Sequence, residues 1–151
     1  MLFKTHILFG FLIWLITQQY FGINIYLSLV IILLTSILPD IDKSNSKIGS
    51  KIKPISFIIE KLFGHRKLFH SLLFWTAISA LIWHYAGKPY AIITLIGISS
   101  HLIADALTKQ GINFLYPLSQ FRIAGFIETG SLLEIIFLLT IIGTIIITIL
   151  F

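Results

Sequence analysis

Five apolar runs alternate with short polar stretches along this chain: roughly Ile7–Phe21, Ile23–Leu38, Leu68–Ala86, Tyr90–Leu107 and Leu132–Phe151. A membrane-spanning helix needs about 20 mostly apolar residues, with a range near 17–25. The last three runs meet that length. The first two are short alone, but Gly22 between them allows a tight helical hairpin whose flanks complete each span. Between Ile52 and Phe63 the pattern changes. Ile52, Ile55, Ile58, Ile59, Leu62 and Phe63 recur at helical spacing, with Lys53, Glu60 and Lys61 between them. That pattern predicts an amphipathic helix, either lying in the headgroup layer as a lid or lipid-gathering surface or packed on the bundle. The expected fold is all-α: a polytopic membrane helical bundle of about five transmembrane helices plus one interfacial amphipathic helix, forming a single domain over 1–151.

Threading these spans in order brings four polar clusters to one side. His6 opens the first span there, and the second returns to deliver Asp40 and Asp42. Lys43–Lys67 stays on that side, and the third span starts with His70. The fourth descends from Lys88-Pro89 to His101 and Asp105, and the fifth leaves with Glu134 in its first turn. Ten of the eleven Lys and Arg residues fall on the same side, with Lys88 opposite. The positive-inside rule makes that side cytoplasmic and puts the C-terminus across the membrane. Tyr20, Tyr26, Trp83, Tyr85 and Tyr90 gather at the other boundary, as an aromatic belt would. Lys4 before the first run gives it the look of a signal peptide. It lacks a small-x-small cleavage site and a second span follows at once, so it is expected to be retained.

Composition agrees with a membrane protein. Hydrophobic residues make up 57% of the 151 and charged residues 11%, against about 25% charged in a soluble domain. Cysteine is absent, which excludes a disulfide or a thiolate-bound metal. The formal charge of +5 is scattered through loops. No basic stripe or recognised motif accompanies it, so membrane lipid and not nucleic acid is the expected partner.

Imidazoles and carboxylates inside a membrane protein are costly and mark functional sites by default. They are also the ligands of zinc and manganese. His101 and Asp105 lie one turn apart on one helix face. They can bind an ion, or simply hydrogen-bond between packed helices; the neighbouring Ser99, Ser100 and Thr108 make the segment unusually polar. Asp40 and Asp42 follow Pro39 at a helix end, where solvated acids beside Lys43 are the plain reading. With six acids in the entire chain, two at the mouth of a span near His6 weigh the other way. Gly64 marks a turn that puts His65 and Arg66 in a loop and His70 in the first turn of the next helix. Arg66 suits bidentate contact with a phosphate and Lys67 adds a point charge, though a basic juxtamembrane anchor would look the same. Glu134 can ligate metal, orient a ligand or snorkel to the interface. Arg122 and Glu128 read as loop residues that pair. His84 lies at the opposite boundary, outside the site.

These segments resemble the YdjM family, known as LexA-regulated, membrane-bound, metal-dependent hydrolases. The likeness runs through Thr5-His6, the LPDID segment Leu38–Asp42, the HRKLFHS segment His65–Ser71, Ser100–Thr108 with Gly111 and Pro117, then Gly130-Ser131 and Glu134. It implies a ligand set of His6, Asp40, Asp42, His65, His70, His101 and Asp105. Lys67-Leu68-Phe69 departs from the family's Gly, apolar residue and Thr, which bears on the geometry before His70. A more distant similarity in ligand order is to the helical zinc-dependent phospholipase C and nuclease class.

The expected activity is hydrolysis of a phosphoester in a lipid-like or phosphorylated membrane substrate, using divalent ions, zinc preferred and manganese possible. Asp40 or Asp42 is the expected bridging carboxylate, and Asp42 is an expected catalytic residue. Arg66 and Lys67 are expected to stabilise charge on phosphoryl oxygens. The rival readings are a proton or divalent-cation transporter and a noncatalytic membrane protein with a structural metal. Against transport, the candidate ligands gather near one surface, whereas transport sites usually lie near the midplane.

Overall fold

Five of the six helices begin where the chain supplies a start signal. The computed structural model describes residues 1–151 and contains six α-helices. After α1 (Phe3–Thr17), Asn24 caps α2 (Ile25–Thr35) by accepting from the amides of Tyr26 at 3.0 Å and Leu27 at 3.1 Å. Pro54 stands in the first turn of α3 (Lys53–Phe63) and Pro89 in that of α5 (Lys88–Ala106), where no amide hydrogen is needed. Ser71 caps α4 (Leu72–Ala86) and Ser131 caps α6 (Leu132–Leu150), each accepting an amide hydrogen at 3.4 Å. No extended strand forms; two isolated bridges, Thr108 with Ile127 and Ile112 with Ile123, hold the α5–α6 connection.

Three segments are long and apolar enough to cross a membrane: Ile25–Asp42, Lys88–Ala106 and Leu132–Leu150. The first comprises α2 and the 3-10 turn Leu38–Asp42 that follows it. α1 and α4 have 15 residues each, or about 22 Å at ~1.5 Å per residue. The 3-10 turn Gln18–Tyr20 prolongs α1, and another, Leu68–His70, leads into α4.

α5 is the centre of the bundle, against α1, α2 and α4, while α6 packs on α1. Ile93, Ile98 and Leu102 on α5 are fully buried. Close approach is possible because Gly97 faces α2: a Cβ there would fall 2.0 Å from Thr35 Oγ1 and 3.0 Å from the Ile32 carbonyl oxygen. In a membrane, helix association relies on this kind of contact, since lipid tails are as apolar as Leu. Trp14 Nε1 also donates to Ser28 Oγ at 2.9 Å, joining α1 to α2. Interhelical bonds of this type contribute about 0.6 kcal/mol.

The predicted amphipathic helix is α3. Ser56 faces the protein and is buried, while Ile55, Phe57, Ile58 and Leu62 face outward. α3 lies beside the Leu38–Asp42 turn. The amide of Ser44 donates to Glu60 Oε2 at 2.8 Å, and hydrogen bonds from Ser44, hydroxyl first and amide next, hold the Glu60 carboxyl below its ordinary range.

Candidate metal centre

The antiparallel helices bring their polar ends to one end of the bundle. His6 sits in the second turn of α1, Asp40 and Asp42 in the turn after α2, His70 just before α4, and His101 with Asp105 in the last turns of α5. His70 belongs to the 3-10 turn, not to the first turn of α4 as the sequence suggested. Ser71 caps the helix, and the Leu72 amide donates to the Phe114 carbonyl at 3.0 Å, so α4 starts two residues after His70.

His101 fixes the chemistry of the cluster. Its Nδ1 lies 2.9 Å from the Ser36 carbonyl oxygen, which only accepts, so Nδ1 is the donor. In the neutral ring Nε2 then presents a lone pair. His70 repeats the arrangement, its Nδ1 lying 3.0 Å from Asp42 Oδ2. The two Nε2 atoms face each other at 3.3 Å. Asp105 Oδ2 lies 3.4 Å from His70 Nε2 and 3.9 Å from His101 Nε2. Two lone pairs and a carboxylate oxygen thus converge on one point among fully buried side chains. Such a point favours a cation.

His6 stacks on His101, ring centroids 3.9 Å apart and planes 13° from parallel. Both its ring nitrogens are buried without a hydrogen-bond partner, with Nε2 3.4 Å from Asp105 Oδ1. Asp40 Oδ1 lies 3.9 Å from His101 Nε2 on the outer side. Asp42 is fully buried: Oδ1 pairs with His65 Nδ1 at 2.7 Å, while Oδ2 accepts from the Arg66 amide at 3.0 Å. Three overlapping groups have donor atoms within 4.8 Å of one another and could hold a metal: His6–Asp40–His101, Asp42–His65–His70 and His70–His101–Asp105.

The donor set therefore fits a divalent ion. Hard and borderline oxygen and nitrogen ligands are present, and two imidazoles are oriented from behind by hydrogen bonds at Nδ1, as metal-binding histidines generally are. The two ring nitrogens of His6, buried without a hydrogen-bond partner, add to the fit.

Arg66 takes a different position from the one its sequence context suggests. Its φ of 60° is left-handed, a conformation that costs a non-glycine residue on the order of 1–3 kcal/mol. The Asp42 carboxylate holds its amide. Its Nη1 donates to Thr108 Oγ1 at 3.1 Å and to the Gly111 carbonyl at 3.0 Å, and its Nη2 lies 2.8 Å from Asp105 Oδ2. The guanidinium thus ties the α5–α6 connection to the cluster. Gly111 makes room for this: at φ 59° a Cβ would sit 2.2 Å from the Ile123 carbonyl oxygen. Lys67 is exposed nearby.

Glu134 stays outside the cluster. Its Oε1 accepts from the Leu2 amide at 2.6 Å and Thr5 Oγ1 at 2.9 Å, and Oε2 from the Gly130 amide at 2.7 Å. Three protein donors occupy it, so it fastens the start of α1, and with it His6, to the start of α6. The amine of Met1 pairs with Asp105 Oδ1. Glu128 does not pair with Arg122: Lys109 donates to Glu128 Oε2 at 2.9 Å, because the Lys109 amide bonds the Ile127 carbonyl and sets the two side chains together. That bond holds the Glu128 carboxyl below its usual range.

Above the cluster a cavity of about 440 Å³ opens, with Asp40, His65 and Arg66 on its wall beside Lys4, Lys43 and Lys47. Lys4, Lys47 and Ser36 were not placed at the site by sequence reasoning, and Lys43, Thr108 and Gly111 entered it only as neighbours or as part of the family likeness. Carbonyl acceptors and loop residues carry no periodic signal, and lysines in loops look like topology markers.

A family profile described as "YdjM inner membrane protein" matches residues 1–150. The chain is 35% identical to the protein named "Uncharacterized protein YvsG" from Bacillus subtilis (strain 168), over 87% of this chain and 83% of that one. It is 37% identical to "Inner membrane protein YdjM" from Escherichia coli (strain K12) and from Shigella flexneri, over 56% of this chain and 46% of each of theirs. No solved structure matches.

Proposed function

The chain belongs to the YdjM family of inner membrane proteins, and from that premise we propose that it is a metal-dependent phosphoester hydrolase working at the cytoplasmic membrane surface on a lipid or lipid-like substrate. The observation that carries this reading is the convergence of His70 Nε2, His101 Nε2 and Asp105 Oδ2 beneath a basic cavity. His6 and Asp40 extend the same donor set outward. His70, His101 and Asp105 would hold a divalent ion, zinc or manganese by donor type, which would supply Lewis-acid chemistry toward phosphoryl oxygen and water.

The residues divide the remaining work. Asp42 orients His70 and His65 and keeps their outward nitrogens available. Asp40, facing both the cluster and the cavity, is placed to accept a proton from a water entering the cavity. Lys4, Lys43 and Lys47 draw an anionic headgroup in and offset charge on its oxygens. Arg66 positions Asp105 and the connecting loop. In the reaction water adds to phosphorus, the phosphorus–oxygen ester bond breaks, and the leaving oxygen takes up a proton, giving an alcohol and a phosphate.

Orientation follows from charge. Ten of eleven Lys and Arg residues fall on the cluster side of a five-span threading, which supports a cytoplasmic site and N-terminus. The test is phosphate release from phospholipids or prenyl phosphates by detergent-purified protein with zinc or manganese. Turnover that disappears in Asp105→Asn and on chelation supports the hydrolase. A fully metallated protein without turnover on either lipid class contradicts it, and cation flux in liposomes would point to transport.

A further inference from the structure

Beside the first cavity lies a second, of about 340 Å³, sharing Lys43, His65, Arg66 and Gln110 with it. The two differ in character. The first has an apolar side formed by Met1, Leu2 and Phe3, while no hydrophobic residue lines the second, which adds Lys67, Asn113 and Arg122. Six basic residues thus line the pair, with Asp40 the one carboxylate among them.

Five of those six, Lys4, Lys43, Lys47, Lys67 and Arg122, have no carboxylate within ion-pair distance. Arg66 has one, and its Nη atoms are already engaged by Asp105, Thr108 and Gly111. It therefore has little left to offer a ligand. Lys47 is held in place over the Phe3 ring, its Nζ 4.9 Å from the centroid. Like charges gathered around a shared cavity repel one another, and an anion with more charge than one phosphate carries would offset them better. A guanidinium, a lysine and a side-chain amide are suited to gripping a terminal phosphate.

We propose that the second cavity is a phosphate subsite and that the protein recognises a headgroup with two linked phosphoryl groups. The phosphoryl group next to the lipid chain sits in the first cavity near Asp40 and His65. The terminal one sits by Lys67, Asn113 and Arg122. This rests on the phosphoester reading above and names its substrate class: a lipid diphosphate, whose ester bond to the lipid breaks with water to give an alcohol and inorganic diphosphate, with the chain running past Met1–Phe3. The alternative, that these cations only mark the membrane's inner surface, predicts no preference among soluble phosphates.

The test is calorimetric binding of inorganic pyrophosphate and of orthophosphate to the detergent-solubilised, metal-loaded full chain. Pyrophosphate is expected to bind at least about tenfold tighter, and an isoprenoid diphosphate in micelles tighter still. In Arg122→Gln, an exposed loop variant, the pyrophosphate preference should fall by about tenfold, with metal content unchanged. Equal affinities for the two anions in the wild type would overturn the subsite. So would an unchanged preference in an Arg122→Gln/Asn113→Ala double variant. A diphosphate preference without any hydrolysis refutes the hydrolase reading and leaves the subsite standing, whereas hydrolysis without that preference does the reverse.

Discussion

The two ends of the bundle carry histidines in opposite circumstances. His84, in the last turn of α4, is exposed and packs edge-on to Tyr85 at 4.7 Å. Exposed Tyr20, Tyr26 and Trp83 share that end, and Lys88 Nζ lies 6.0 Å from the Trp83 ring centroid. His101, at the end of α5, is fully buried, fixed at Nδ1 and aimed at another imidazole and a carboxylate. Residue type is therefore a poor guide to chemistry here. What separates a site from an interfacial anchor is whether a backbone carbonyl or carboxylate orients the ring, and whether other donors meet it.

The largest contrast expected from this comparison is between His101→Ala and His84→Ala. The first should lower metal affinity by more than the ~10–100-fold typical of a lost orienting partner, and the second should leave it unchanged, both read by metal content after dialysis. Asp42→Asn sharpens the point. It removes an orienting carboxylate while leaving the His70–His101–Asp105 donors in place, so affinity should fall by about 10–100-fold without vanishing.

Gly97→Val acts on the scaffold and not the donors. Its Cβ would overlap Thr35 Oγ1, and overpacking of this sort costs about 1–3 kcal/mol. A lower thermal midpoint in detergent is expected, with metal still bound below it. The smallest effect belongs to Lys109→Ala. This pair with Glu128 is exposed on both sides, so midpoint and metal content should stay where they are.

The helices and the polar cluster were legible in the sequence for a simple reason: in an apolar chain each His or Asp stands out, and antiparallel threading fixes which end it reaches. His6, Asp40, His70, His101 and Asp105 reach the same end of the bundle through that alternation. The amphipathic α3 was equally readable, since Ile55, Ile58 and Leu62 repeat at helical spacing around a buried Ser56. Function within the cluster was less readable. Glu134 shares its polarity with the others, yet the Leu2, Thr5 and Gly130 donors claim it, and those contacts depend on how α1 and α6 meet. Arg66 reads as a phosphate grip until the connection between α5 and α6 folds back to receive it. That connection has no period, so nothing in the sequence places Thr108 and Gly111 beside Arg66.

The most direct measurement is elemental analysis of the detergent-purified chain alongside His101→Ala, Asp105→Asn and His84→Ala. The wild type and His84→Ala should carry at least one equivalent of zinc or manganese, and the other two should carry little. A wild-type protein that takes up neither ion even when supplied with both, or a His101→Ala/Asp105→Asn double variant that keeps its metal, would contradict a site built on these donors.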